Sequence, residues 1–142
     1  MKYIAGSIVS ILFVLLGLLH VYWMAGGKKW IELVLPQTGV GEQQAFTPSA
    51  GSTFIVALGL FGLASCCMMM IYHHYHGSLP NFLKFIGWGI AVLFMLRAIG
   101  EFNYVGFFKR VHHTPFAIHD TLYFSPLCII IVILMVVLIK GE

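Results

Sequence analysis

Four long apolar runs dominate the chain, at about 3–23, 48–72, 82–100 and 115–139, with polar residues gathered in the segments between them. Each run has the roughly twenty residues that an α-helix needs to cross the hydrocarbon core of a bilayer. None alternates with the period of two that would mark a barrel strand. The pattern therefore predicts an all-α polytopic membrane protein: a four-transmembrane-helix bundle forming a single integral membrane domain, 1–142, with a long first connecting loop. The first run is too long for the core of a signal peptide and no clean small-x-small cleavage site follows it, so it is expected to remain as an uncleaved span.

Helical spacing assigns faces to these spans. Gly6, Ser10, Phe13, Gly17, His20 and Met24 fall on one stripe of span one, and Ser52, Ile55, Gly59, Gly62 and Cys66 on one stripe of span two. Small residues on such stripes let neighbouring helices approach closely, so both are expected to pack inward. Thr47-Pro48 and Thr114-Pro115 each place a capping residue before a proline and are expected to open spans two and four. Pro126 removes a backbone donor inside span four, which predicts a kink near Leu122. The first connection, 25–46, carries Lys28 and Lys29 and the apolar group Trp30, Ile31, Leu33, Val34 and Leu35, so part of it is expected along the membrane surface over the helix ends.

Composition agrees with this pattern and narrows the function. The 142 residues are 60% hydrophobic and 9% charged, with a formal charge of +3, which is too little and too scattered a positive charge for a nucleic-acid surface. Cys66, Cys67 and Cys128 all lie in apolar runs and read as small buried hydrophobes, with no CxxC pattern and no disulfide framework. Met68, Met69 and Met70 read as adaptable core or lipid-facing residues. His73, His74 and His76 lack the spacing of four that metal ligands on one helix favour and read as interfacial, so no metal site is expected. Loop cations divide almost evenly, Lys2, Lys84 and Lys140 against Lys28, Lys29, Lys109 and Arg110, and fix no orientation.

The ionisable residues at the ends of spans three and four are the candidate chemistry. Charges at membrane depth cost about 2.5 to 3.5 kcal/mol each on insertion scales unless paired, so they need a reason to be there. Arg97 and Glu101 are four apart, with Tyr104 three further on the same face; Phe116, Asp120, Tyr123 and Leu127 make one face of span four. His20 and Trp23, at the end of span one, share that side of the membrane. Arg97 is expected to meet Glu101 locally and Asp120 across the helices, beside a cavity open to one leaflet. The ligand-binding candidates are thus His20, Trp23, Arg97, Glu101, Tyr104, Asp120 and Tyr123. Three function classes use them: binding of a small amphiphile (a lipid, quinone or isoprenoid), a membrane-embedded enzyme, and a transport, immunity or assembly subunit with a purely structural ion network. No nucleophile or metalloprotease motif selects a reaction, and no sequence signature names a cofactor. The expected partners are the lipid bilayer, the amphiphile and, through the glycine faces, a second copy of the chain.

LHVYWMAGG at the end of span one, RAIGEFNYVGFFKR at the end of span three and HDTLYFSPLC at the start of span four together resemble a family of small bacterial four-span membrane proteins classed as a domain of unknown function, DUF3995. The resemblance runs along the whole chain. It implies a multi-pass protein of the bacterial cytoplasmic membrane and an acidic residue at position 101, where the family pattern carries aspartate. It implies no activity.

Overall fold

A computed structural model of the protein describes residues 1–38 and 44–141; positions 39–43 of the first connection lie outside the described residues. The order of elements is α1 (Lys2–Met24), α2 (Ile31–Val34), α3 (Ala50–His76), α4 (Asn81–Ile99), α5 (Pro115–His119), a π-helical turn (Asp120–Phe124) and α6 (Ser125–Lys140). No strand occurs among the described residues; a lone antiparallel bridge joins Gln37 to Gln44. Among the described residues, four helical segments are long and apolar enough to cross a membrane: Lys2–Met24, Ala50–His76, Asn81–Ile99 and Pro115–Lys140.

The spans pack side by side around a shared apolar core. α1 lies along α3 and also against α6, and α6 packs in turn on α4. Val9 and Phe13 from α1, Cys67 and Met70 from α3, Leu83 and Ile90 from α4, and Ile131, Met135 and Leu138 from α6 fill the centre. Phe13 also meets the Phe94 ring of α4, with centroids 5.3 Å apart. In lipid, where hydrophobicity gives little drive for one helix to leave the solvent for another, such close packing is a main source of cohesion. The stripe read on span one does this work. A methyl group at Gly6 would strike the Ile71 side chain, and one at Gly17 the Phe61 ring.

The stripe read on span two does not. Ser52, Ile55, Gly59 and Gly62 are exposed, and a methyl group at either glycine would meet nothing. The buried face is instead Ala57, Leu60, Ala64, Cys67 and Met70, in which alanines supply the close approach and larger side chains fill the gaps. Span two carries two small-residue faces, and contact with α1 selects the one with more apolar surface to bury. The helix also begins later than Thr47-Pro48 predicts. Ser49 is its cap, with the hydroxyl accepting the Ser52 N–H at 3.1 Å, so Pro48 lies before the helix. At span four the expected cap holds: Thr114 Oγ1 accepts the Ala117 N–H at 3.2 Å and Pro115 takes the first helical position.

The two ends of the helices are tied differently. At the terminal end, Lys2 Nζ donates to the Gly141 carbonyl at 2.8 Å, Tyr3 donates its hydroxyl to the His74 carbonyl at 3.1 Å, and His74 Nε2 bonds the Leu138 carbonyl at 2.7 Å. A carbonyl only accepts, so Nε2 carries the proton. His74 thus joins the ends of α3 and α6 by satisfying a carbonyl that the last helical turn leaves free. At the opposite end, Trp23 Nε1 donates to the Lys29 carbonyl at 2.9 Å and holds the start of the first connection, while the short α2 rests against α5. That end contains the candidate site.

Candidate functional site

Three local features of the chain build the site. The first is the inward stripe of α4. Leu83, Gly87, Ile90 and Phe94 face the core at spacings of three and four, and Arg97 is the next position on that stripe. The helix then stops at Ile99, because Gly100 takes a positive φ of 89° and turns the backbone away.

The second feature is the connection that follows. Gly106 also has positive φ, 88°, and packs backbone to backbone against Gly100: a Cβ on Gly100 would collide with the Val105 carbonyl, and one on Gly106 with the Ile99 carbonyl. The Phe107 N–H reaches back to the Ala98 carbonyl at 2.9 Å. Two glycines thus fold the loop under the end of α4, and three residues later Lys109 enters the protein. Its side chain is only 1% exposed.

The third feature is the break in span four. Its buried positions run Phe116, Asp120, Ser125, Cys128, Val132 and Met135, so one step is five residues where a regular helix gives three or four. The extra residue sits in the π-turn, where the Ser125 N–H bonds the Asp120 carbonyl. Pro126, the residue after Ser125, has no N–H to give to an α-helical ladder, which makes the wide turn a low-cost solution here. The inserted residue rotates everything after it by about 100° relative to an unbroken helix. Tyr123, expected beside Asp120, lies within the widened turn itself and points outward, 61% exposed, with the His119 ring at 5.8 Å.

These features converge on the Asp120 carboxylate, which is fully buried. Arg97 Nη2 donates to Oδ1 at 2.9 Å. Oδ2 accepts from Lys109 Nζ at 3.0 Å, from the Gly106 N–H at 2.8 Å and from the Ser125 hydroxyl at 3.3 Å. Three of the four donors crowd Oδ2, and Oδ1, with one donor, keeps an acceptor position open. Lys109 is complete: its remaining donors go to the Gly106 carbonyl at 2.9 Å and to Thr121 Oγ1 at 2.6 Å, while Thr121 donates its own hydroxyl to the Ala117 carbonyl at 3.1 Å. Arg97 is not complete. Its side chain is 34% exposed, and its Nη1 is shielded from solvent without any hydrogen-bond partner.

Of the residues expected at the site, Arg97 and Asp120 come together and the others stand apart. Glu101 does not reach Arg97. The helix that would carry it four residues on has already ended, and its Oε1 instead accepts the N–H of Tyr104 on an exposed turn. Tyr104 contributes that backbone group, its side chain half-buried in the loop. His20 holds the Leu16 carbonyl of its own helix through Nδ1 at 2.8 Å and stacks edge-on against Trp23 at 5.1 Å. His119 likewise holds the Pro115 carbonyl at 2.9 Å. Lys109 is the residue that sequence reasoning missed, having been counted as a loop cation. With it paired inside, the loop cations are even: Lys2, Lys84 and Lys140 against Lys28, Lys29 and Arg110. The nearest sequence signal is the pair Gly100 and Gly106 ahead of it.

A groove of about 710 Å³ lies between α1 and α3, lined by Ser10, Val14, Phe61, Ser65 and Met68 among others, on different spans from the cluster. Among the described residues no three His, Cys, Asp or Glu side chains converge as a metal site would require.

Residues 13–135 match the family described as Protein of unknown function (DUF3995). The chain belongs to this family. The matched region contains the whole cluster, from Arg97 through Lys109 to Asp120 and Ser125, so the site is part of the family domain and not an appendage to it. No curated protein and no solved structure matches the chain.

Proposed function

We propose that this is a multi-pass protein of the bacterial cytoplasmic membrane that binds a small amphiphile, a lipid, quinone or isoprenoid, at the Arg97–Asp120 cluster near one leaflet. One observation carries the reading: Arg97 holds the buried carboxylate with one nitrogen while a third of its side chain stays open and its Nη1 has no acceptor. Ionisable groups kept at membrane depth and left partly unsatisfied suit a polar headgroup whose apolar part remains in the bilayer.

The Lys109 side favours a second reading for part of the same cluster. Lys109 and Asp120 are buried, and Lys109 has every donor bonded, which suits a structural ion network that fixes the loop on the helices. An assembly subunit would need nothing more, and the outward face of Gly59 and Gly62 would admit a second copy closely. An enzyme is favoured least. Asp120 already meets four donors, three of them on Oδ2, and His20 and His119 are each tied to their own helix through Nδ1 and bond nothing in the cluster.

Native mass spectrometry of gently extracted protein tests the proposal. Wild type is expected to retain an amphiphile and Arg97→Ala to lose it while keeping its helical circular dichroism. Wild type without any retained molecule, or the same molecule held equally by Arg97→Ala, defeats it.

A further inference from the structure

Building on the amphiphile reading, we infer that the ligand's polar end is an oxyanion carrying one negative charge, a phosphodiester or carboxylate. The inference comes from the unequal charges that the fold brings together.

Among the described residues two cations, Arg97 and Lys109, share one carboxylate, Asp120, which leaves one positive charge in excess: 2 − 1 = 1. Glu101, four residues on from Arg97, is instead held by the Tyr104 N–H. The excess does not reside on Lys109, whose three donors are taken up by Gly106, Asp120 and Thr121. It resides on Arg97. The guanidinium uses Nη2 on Asp120, has no acceptor at Nη1, and belongs to the member of the cluster that is open to its surroundings.

The chemistry of the missing group follows from these donors. Guanidinium nitrogens only donate, so the ligand must accept. To engage a ligand the guanidinium would turn about its Nη2 bond to Asp120 so that Nη1, now shielded, met the open side, where paired N–H groups would match the two oxygens of a planar or tetrahedral oxyanion. A charge of one balances the surplus; a doubly charged group would leave a net negative charge at membrane depth, with the attendant cost. A neutral quinone carbonyl could satisfy the hydrogen bond but would leave the charge uncompensated.

Thermal unfolding in a neutral detergent, titrated separately with phosphatidylglycerol, a long-chain fatty acid, inorganic phosphate and ubiquinone, tests this on the full chain. Stabilisation is expected from phosphatidylglycerol or the fatty acid and not from ubiquinone. Arg97→Gln leaves Lys109 and Asp120 as a neutral pair and should abolish the effect; Arg97→Lys keeps the charge without the fork and should weaken binding by roughly tenfold, one lost charge-assisted bond. The Lys variant also serves as the test should the Gln variant fail to fold. Arg97-dependent stabilisation by ubiquinone, with none from the anions, overturns the oxyanion inference and leaves the amphiphile reading standing. Equal stabilisation by inorganic phosphate supports the oxyanion and overturns the amphiphile. Stabilisation by no additive overturns both.

Discussion

Arg97 and Lys109 grip opposite oxygens of one carboxylate at nearly equal distances, 2.9 Å and 3.0 Å, yet they are placed in very different surroundings. Lys109 comes from a loop, is 1% exposed and has every donor satisfied. Arg97 comes from a span, is 34% exposed and has a buried nitrogen with nothing to bond. The difference separates two jobs that a salt bridge can do. A saturated buried pair fixes geometry, and breaking it leaves an uncompensated charge. A partly satisfied one leaves part of its donor capacity unused.

The largest effect should come from removing what the two cations share. Asp120→Ala strips the acceptor from Lys109, Arg97, the Gly106 N–H and the Ser125 hydroxyl together. It leaves Lys109 charged in a buried site, and a loss of about 3 to 5 kcal/mol of unfolding free energy is expected. Reversible unfolding in mixed detergent micelles measures it. A loss well under 1 kcal/mol would mean that water enters the cluster freely and that Lys109 is not the buried member described above.

Lys109→Met is the next largest and bears on the comparison directly. Asp120 keeps Arg97, the Gly106 N–H and Ser125, so the carboxylate is weakened and not abandoned. About 2 to 3 kcal/mol is expected, the range for hydrogen bonds to buried charged groups. The loop anchored by Lys109 should also become more accessible, which hydrogen exchange at 100–111 would report as faster opening. Exchange there unchanged from wild type would show that the Gly100–Gly106 backbone contact alone holds the loop.

The same comparison explains how much of the molecule could be read in advance. The four spans, the Thr114 cap, the inward stripe of α1 and the meeting of Arg97 with Asp120 all depend on helical period and continuity, which a sequence displays. Lys109 depends on a backbone reversal at Gly100 and Gly106 that converts a loop cation into a buried one, and no periodicity signals it. Glu101 and Tyr123 depart from helical spacing for related reasons: α4 ends at Ile99, before Glu101, and Tyr123 falls within the widened turn Asp120–Phe124. A single irregular turn re-aims the side chains within and beyond it. Span two differs in kind: its Gly59 and Ala57 faces are both suited to close packing, and only the position of α1 chooses between them.

Arg97→Gln should have the smallest effect on stability and therefore sharpens the contrast most. Glutamine is two bonds shorter and loses the bond to Oδ1, but Lys109 supplies the counter-charge, the Gly106 N–H and Ser125 still bond the carboxylate, and the variant removes the buried nitrogen that lacks a partner. Arg97 is also only partly buried, so a change under about 1 kcal/mol is expected in ligand-free detergent. If the two cations were equivalent, Arg97→Gln would cost as much as Lys109→Met. The separation of these two values, measured in the same unfolding assay, therefore decides whether the carboxylate has one structural partner and one available one. Adding back native lipid extract should then widen the gap between wild type and Arg97→Gln, because a ligand that binds only the folded protein through Arg97 stabilises wild type alone.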